Sequence, residues 1–125
     1  MVKRILIADD DDEIRESTKM FLKKMGYEVV DASDGQSALY LLKKSKFDLV
    51  LLDVIMPKMS GREVLERIRK DPKLKKQKVA LLTVVRLSHP GKELIAKLKP
   101  EEYFQKPIVD LKTFRKKIEK IVGRN

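Results

Sequence analysis

The chain has 125 residues, 42% of them apolar and 38% charged, with 29 Lys and Arg against 19 Asp and Glu for a net charge of +10. That length suits one domain burying roughly two-thirds of the surface its unfolded chain would expose, and no apolar run approaches the roughly 20 residues that cross a bilayer. The absence of cysteine excludes disulfides and thiolate metal sites, and Met1-Val2-Lys3-Arg4 leads straight into an apolar run rather than a secretory signal, so the expected location is the cytoplasm.

Short runs rich in Ile, Leu and Val alternate with stretches of helical spacing. The first run, Arg4–Ala8, ends at Asp9-Asp10. Glu13–Met25 then spaces Ile14, Phe21, Leu22 and Met25 as one helical face, with Asp11 or Asp12 able to cap its free amides. Glu28–Ala32 is the second strand, and a helix opening at Ser33 or Asp34 turns Ala38, Leu41 and Leu42 inward. Leu49–Leu52 is the third strand and runs into Asp53. Ser60 caps a helix whose apolar face is Val64, Leu65 and Ile68, ended by Asp71-Pro72, and residues 70–78 form a basic loop.

Val79–Thr83 is the fourth strand, closing on a hydroxyl. The weakest pattern is a short helix between Lys92 and Leu98, preceded by His89-Pro90-Gly91 and cut by Pro100. Tyr103–Gln105 is the fifth strand and runs into Lys106. Asp110–Val122 forms the last helix, with Leu111, Phe114, Ile118, Ile121 and Val122 on one side and Gly123 to end it. Five buried strands alternating with five helices predict an α/β fold: a doubly wound, five-stranded parallel sheet covered on both faces, a three-layer sandwich. Residues 1–125 read as one domain, without repeat or linker, and the chain stops soon after the last helix.

The carboxyl ends of parallel strands gather on one edge, where ligands bind. Asp9, Asp10 and Asp53 therefore meet there with Lys106 and the Thr83 hydroxyl. Three ionised carboxylates so close repel one another until a proton or a cation intervenes. Oxygen-only ligands favour a hard divalent ion, and Mg²⁺ (or Mn²⁺) suits a site with few carboxylates and room for waters and a phosphoryl group. Capping explains Asp11 and Asp12 but not Asp9 and Asp53 at buried strand ends. A carboxylate nucleophile, a divalent ion, a hydroxyl and an ammonium together make a phosphoryl-transfer site, with Asp53 the candidate nucleophile.

These residues carry a resemblance. Ile7-Ala8-Asp9-Asp10-Asp11, then Leu51-Leu52-Asp53-Val54-Ile55-Met56-Pro57 with Gly61, then Leu82-Thr83, then Tyr103-Phe104-Gln105-Lys106-Pro107 are each weak signals, but their order and their place at strand ends are specific. Over its whole length the chain resembles the receiver domain of two-component response regulators and, lacking an attached output domain, the stand-alone chemotaxis-type members. That resemblance implies a flavodoxin-like strand order of 2-1-3-4-5. It implies that Asp53 accepts a phosphoryl group from a histidine kinase, a phosphotransfer protein or a small phosphodonor. Asp9, Asp10, Asp53 and the backbone carbonyl of Ile55 would hold Mg²⁺, and Lys106 and Thr83 would bind phosphoryl oxygens. Thr83 and Tyr103 would form the switch, and Met56-Pro57 and Gly61 would shape the loop after Asp53, with Gly61 tolerating backbone angles other residues resist. It also implies kinase recognition near Glu13–Met25 and Pro107–Asp110, an output face around the fourth helix and fifth strand, and a monomer or a weak, phosphorylation-dependent dimer.

Three positions depart from that family's usual pattern. Val84 follows the switch threonine where a small residue is usual, and Ile55 and Val85 stand where polar groups often position the hydrolytic water. Apolar side chains there are expected to exclude water and prolong the acyl phosphate. The stretch Lys97-Leu98-Lys99-Pro100-Glu101-Glu102 replaces a small pair before the fifth strand, which leaves the downstream protein target open.

A phosphorylation-activated signalling module with only self-catalysed phosphorylation and dephosphorylation is the reading that results. The alternative is an aspartyl-nucleophile phosphatase or phosphotransferase, but such enzymes usually place a second Asp where Ile55 stands. Loss of phosphoacceptor function is opposed by the complete acid–lysine set. Nucleic-acid binding through the basic last helix lacks a helix-turn-helix or an aromatic stacking platform. The +10 charge reads as a heavily solvated, heat-adapted surface, in keeping with abundant Lys, no Cys and Asn125 as the only asparagine. His89, the only histidine, is expected to be solvent-exposed.

Overall fold

The computed structural model describes residues 2–83, 93 and 95–123. Its elements are β1 (Arg4–Ala8), α1 (Asp12–Lys24), β2 (Glu28–Ala32), α2 (Gly35–Lys44), β3 (Leu49–Asp53), α3 (Gly61–Lys70), β4 (Val79–Thr83), β5 (Glu102–Gln105) and α4 (Leu111–Val122). All five strands pair in parallel in the order β2-β1-β3-β4-β5. Four helices stand among the described residues where five were expected. The expected helix between Lys92 and Leu98 lies in part outside them; within it Glu93, Ile95 and Ala96 are helical, and Ile95 is buried. His89, Val84 and Val85 also lie outside the described residues.

The sheet has two apolar faces because its central strands are buried on both sides. Alternation sends Leu6, Val50, Leu52 and Leu81 into one core with Ala38, Leu42, Val64, Leu65 and Ile68 of α2 and α3. Ile5, Ile7, Leu49, Leu51 and Leu82 enter the other with Leu22 of α1 and Phe114, Ile118 and Val122 of α4. Each fully buried Leu or Ile contributes about 1.5–3 kcal/mol relative to exposure. Phe104 meets Phe114 edge-on with centroids 4.9 Å apart, which fastens α4 to β5. Leu41 is partly buried against the α2–α3 core as expected, and Leu39 is buried there with it. One expected inward position differs: Leu111 is 47% exposed where it opens α4.

Polar side chains set the helix starts. Asp11 accepts from the Ile14 amide at 3.0 Å, Asp34 from Ser37 at 2.8 Å, Ser60 from Glu63 at 3.2 Å and Asp110 from Thr113 at 3.0 Å. Among the described residues no helix is long and apolar enough to cross a membrane.

The strand order places the site. After β1 the chain turns to α1 on one face, and after β3 it turns to α3 on the other. β1 and β3 are neighbours, so the two loops diverge and leave a crevice at their carboxyl ends. Asp9 follows β1 and Asp53 closes β3.

Candidate phosphoryl-transfer site

Asp9 and Asp53 are carried into the interior by the apolar strands before them, and both are buried, as is Lys106. Buried charges require partners. Lys106 Nζ lies 2.9 Å from each Asp9 carboxylate oxygen and 3.0 Å from Asp53 Oδ2. Asp53 Oδ1 accepts the Ile55 amide at 3.3 Å, and Asp9 Oδ1 accepts the Asp11 amide at 2.9 Å. Backbone bonds fix the frame: the Asp9 amide donates to Ala32 O at 3.1 Å, and the Lys106 amide donates to Thr83 O at 2.8 Å.

One ammonium faces two buried carboxylates, so the cluster carries excess negative charge. Burial, joined by the charge of Asp9, pushes the Asp53 carboxyl up to about 7 against the opposing pull of Lys106 and the Ile55 amide. Burial alone would lower the Lys106 ammonium, but its hydrogen bonds to Asp9 and Asp53 outweigh that and hold it above its ordinary value. Asp10 is exposed at the mouth and adds a third carboxylate.

One oxygen from each of Asp9, Asp10 and Asp53 lies within 4.8 Å of the others. A single hard ion bonded at roughly 2.0–2.6 Å joins oxygens about 4–5 Å apart at most. The spacing, the all-oxygen donor set and the surplus negative charge therefore fit a divalent cation.

The other expected residues share this edge. Thr83 closes β4 in register with Gln105, one position beyond the Leu82–Asp53 pair. Tyr103, two residues before Gln105 on β5, is half-buried against the α2–α3 core, and that burial raises its hydroxyl pKa. The Ile55 side chain is 59% exposed beside the crevice.

Gly61 serves differently from the expectation. It is not among the residues of positive φ; Lys58, at +68°, takes that conformation in the loop. Gly61 opens α3 directly against β3, where a Cβ would collide with the Asp53 carbonyl oxygen. Space, not backbone freedom, requires glycine there.

Sequence reasoning missed Arg15. Its Nη1 donates to Asp9 O at 2.8 Å and its Nε to Asp31 Oδ2 at 3.0 Å, while Lys19 Nζ reaches Asp31 Oδ1 at 3.0 Å. The i, i+4 pair Arg15 and Lys19, on the strip of α1 facing β2, was the available signal. Burial would raise Asp31, but hydrogen bonds from Lys19 and Arg15 prevail and hold its carboxyl below the ordinary range.

The comparisons with known proteins agree with this geometry. The model of the response regulator receiver domain matches residues 5–119. A probable transcriptional regulator, ycf27, of Galdieria sulphuraria is 49% identical over 69 residues, covering 55% of this chain and 27% of that protein. The chain spans less than a third of the length of such curated relatives. Among solved structures, chemotaxis protein CheY4 of Vibrio cholerae superposes with a TM-score of 0.87 at 29% identity, covering 97% of this chain and 99% of that one. Response regulator TrrA of Thermotoga maritima, solved in complex with Mg²⁺ and BeF, gives a TM-score of 0.83 at 38% identity over 96% of this chain and 99% of that one. Since the family match takes in the whole acid–lysine cluster and all but the first residue of the sheet, the chain belongs to the family of response regulator receiver domains.

Proposed function

We propose that residues 1–125 act as a phosphorylation-activated signalling receiver in which Asp53 is the phosphoacceptor. The single observation that carries this reading is the bridge of Lys106 between Asp9 and Asp53 in a buried, acid-rich crevice. A carboxylate oxygen of Asp53 attacks phosphorus, the bond to the donor's leaving nitrogen or oxygen breaks, and an acyl phosphate forms. Lys106 is placed to move its hydrogen bonds from carboxylate to phosphoryl oxygens, and Thr83 lies on the same edge to donate a hydroxyl. Asp9, Asp10, Asp53 and the Ile55 carbonyl would hold Mg²⁺ or Mn²⁺, which when bound would neutralise charge developing on the phosphoryl oxygens.

Phosphorylation adds charge at the end of β3, and Thr83 and Tyr103 transmit it to the face built on β4 and β5. The donor is a sensor histidine kinase or phosphotransfer protein. It docks on α1 and the loop before α4, where Val109 is 85% exposed, beside Leu111 at the start of α4, which is 47% exposed. The output is a switched protein-binding face, on a monomer or a weak dimer, in the cytoplasm. The phosphatase alternative is disfavoured because the position two residues after Asp53 holds Ile55, which cannot act as acid or base.

The test is incubation with acetyl phosphate and Mg²⁺, followed by intact mass. Wild type is expected to gain one phosphoryl group and Asp53→Ala none. A gain that persists in the variant removes Asp53 from the role.

A further inference from the structure

The amino ends of the strands form the edge opposite the phosphoryl site, and there the α2–β3 turn faces the α3–β4 loop across a groove of about 840 Å³. At about 3.3 Å per residue, the length of β3 alone separates this edge from Asp53 by roughly 13 Å. Leu42, Phe47 and Leu74 give the groove apolar side chains. Lys43, Lys44, Lys46 and Lys73 line it as well, against Asp71 as the one acid in the lining. All four lysines are exposed, and Lys75 and Lys76 extend the same basic loop.

Among the described residues, no carboxylate forms an ion pair with any of the four groove lysines, whereas Arg115 pairs with Glu119 at 3.6 Å and Lys117 with Glu102 at 3.5 Å. What separates this patch from an ordinary solvated surface is that its walls are held in place. Arg69 Nη1 donates to Lys75 O at 3.0 Å and Gln77 O at 2.7 Å, and its Nε to Leu98 O at 2.6 Å. Gln77 Nε2 crosses to Phe47 O at 3.1 Å, tying one wall to the other. A pre-formed concavity spends little ordering entropy on binding.

We propose that this groove binds an acidic peptide segment of a partner protein, which lays an apolar side chain against Leu74 while its carboxylates meet the lysine rim. Charge complementarity fixes the sign of the partner. The apolar lining favours a peptide over a nucleic acid, whose phosphate backbone has nothing to fill it. Nor is an aromatic face open for base stacking: Phe47 is 8% exposed and carries the Arg4 guanidinium 4.8 Å from its ring centroid.

The experiment titrates the full chain, at near-physiological salt, with a labelled peptide alternating glutamate with leucine and phenylalanine. An all-glutamate peptide of equal length and a DNA duplex are titrated beside it, and binding is read by fluorescence anisotropy and by amide shifts of the wild-type protein. The mixed peptide is expected to bind about fivefold or more tighter than the all-glutamate one, with shifts confined to residues 42–47 and 71–77. The triple variant Lys43→Glu, Lys46→Glu, Lys73→Glu should lose about tenfold or more in affinity. An equal charge change on α4, Lys112→Glu with Lys116→Glu and Lys120→Glu, should alter it less than about twofold. Equal losses in both variants, shifts elsewhere, no binding, or DNA binding more tightly than the mixed peptide would each overturn the assignment.

Discussion

Lys106 Nζ and Asp53 Oδ2 are 3.0 Å apart although 53 positions separate them in the chain, and both side chains are almost wholly buried. The same ammonium holds Asp9, so a single positive charge is bonded to two buried negative ones. The metal-free cluster is therefore unfavourable when both acids are ionised. That imbalance suits a site that takes up a divalent ion.

Asp53→Asn should raise the Tm of the metal-free protein at neutral pH by several °C, because it removes the surplus charge and keeps an acceptor for Lys106. The sign follows from the raised carboxyl. Folded Asp53 titrates near 7 and unfolded Asp near 3.9, so ionisation costs folding stability progressively between those values. The Tm gap between variant and wild type should be small at pH 4, widen up to about pH 7, and shrink when Mg²⁺ is added. Thermal melts across that range, with and without Mg²⁺, check it.

Lys106→Met should act in the opposite sense. It leaves Asp9 and Asp53 facing each other without a cation, a loss of about 3 kcal/mol or more in the metal-free state. Mg²⁺ should recover part of that loss, while phosphorylation by acetyl phosphate falls at least about tenfold. Denaturant titration and intact mass read the two effects separately.

Asp34→Ala should cost about 1 kcal/mol through loss of the α2 cap. The Ser37 amide holds the Asp34 carboxyl below its ordinary value. A depressed carboxyl contributes stability above the unfolded value and loses it as pH falls through the folded one. The wild-type advantage should accordingly be full at neutral pH and shrink as pH falls below the ordinary carboxylate range, which chemical denaturation at neutral and strongly acidic pH resolves.

Gly61→Ala should damage the site more than its size suggests. The new methyl collides with the Asp53 carbonyl oxygen, so either α3 or the end of β3 must shift. Lower Tm together with slower phosphorylation is the expected pair of results, whereas an exposed helix position would gain about 1 kcal/mol from the same change.

Ile55→Asn should shorten the life of the acyl phosphate. Ile55 is 59% exposed at the crevice mouth, and an amide there can hold a water that the hydrocarbon excludes. Timed loss of phosphate after removal of the donor measures this; a variant decaying no faster than the parent would end the water-exclusion idea.

Hydrophobic patterning made the strands legible. Runs such as Leu49–Leu52 are apolar on consecutive positions because both faces of the sheet are covered, and Asp53 was visible as the polar residue where such a run ends. Helix starts were legible to within a residue because caps use few side chains: Asp11, Asp34, Ser60 and Asp110 all cap. Less visible were features that depend on what lies opposite. Arg15 reads as an ordinary surface arginine until β2 brings Asp31 within 3.0 Å, and Gly61 reads as a turn glycine until α3 is packed against the Asp53 carbonyl.

By itself the sequence determined the element order, the parallel α/β class and the identity of the acids and the lysine at strand ends. Periodicity and burial are local properties that each segment carries along its own length. Only the tertiary structure decided the distances: Lys106 bridging two acids, three carboxylate oxygens within 4.8 Å, and a lysine-rimmed groove at the far edge. Such distances depend on strand order and loop packing, which join residues that no local pattern relates.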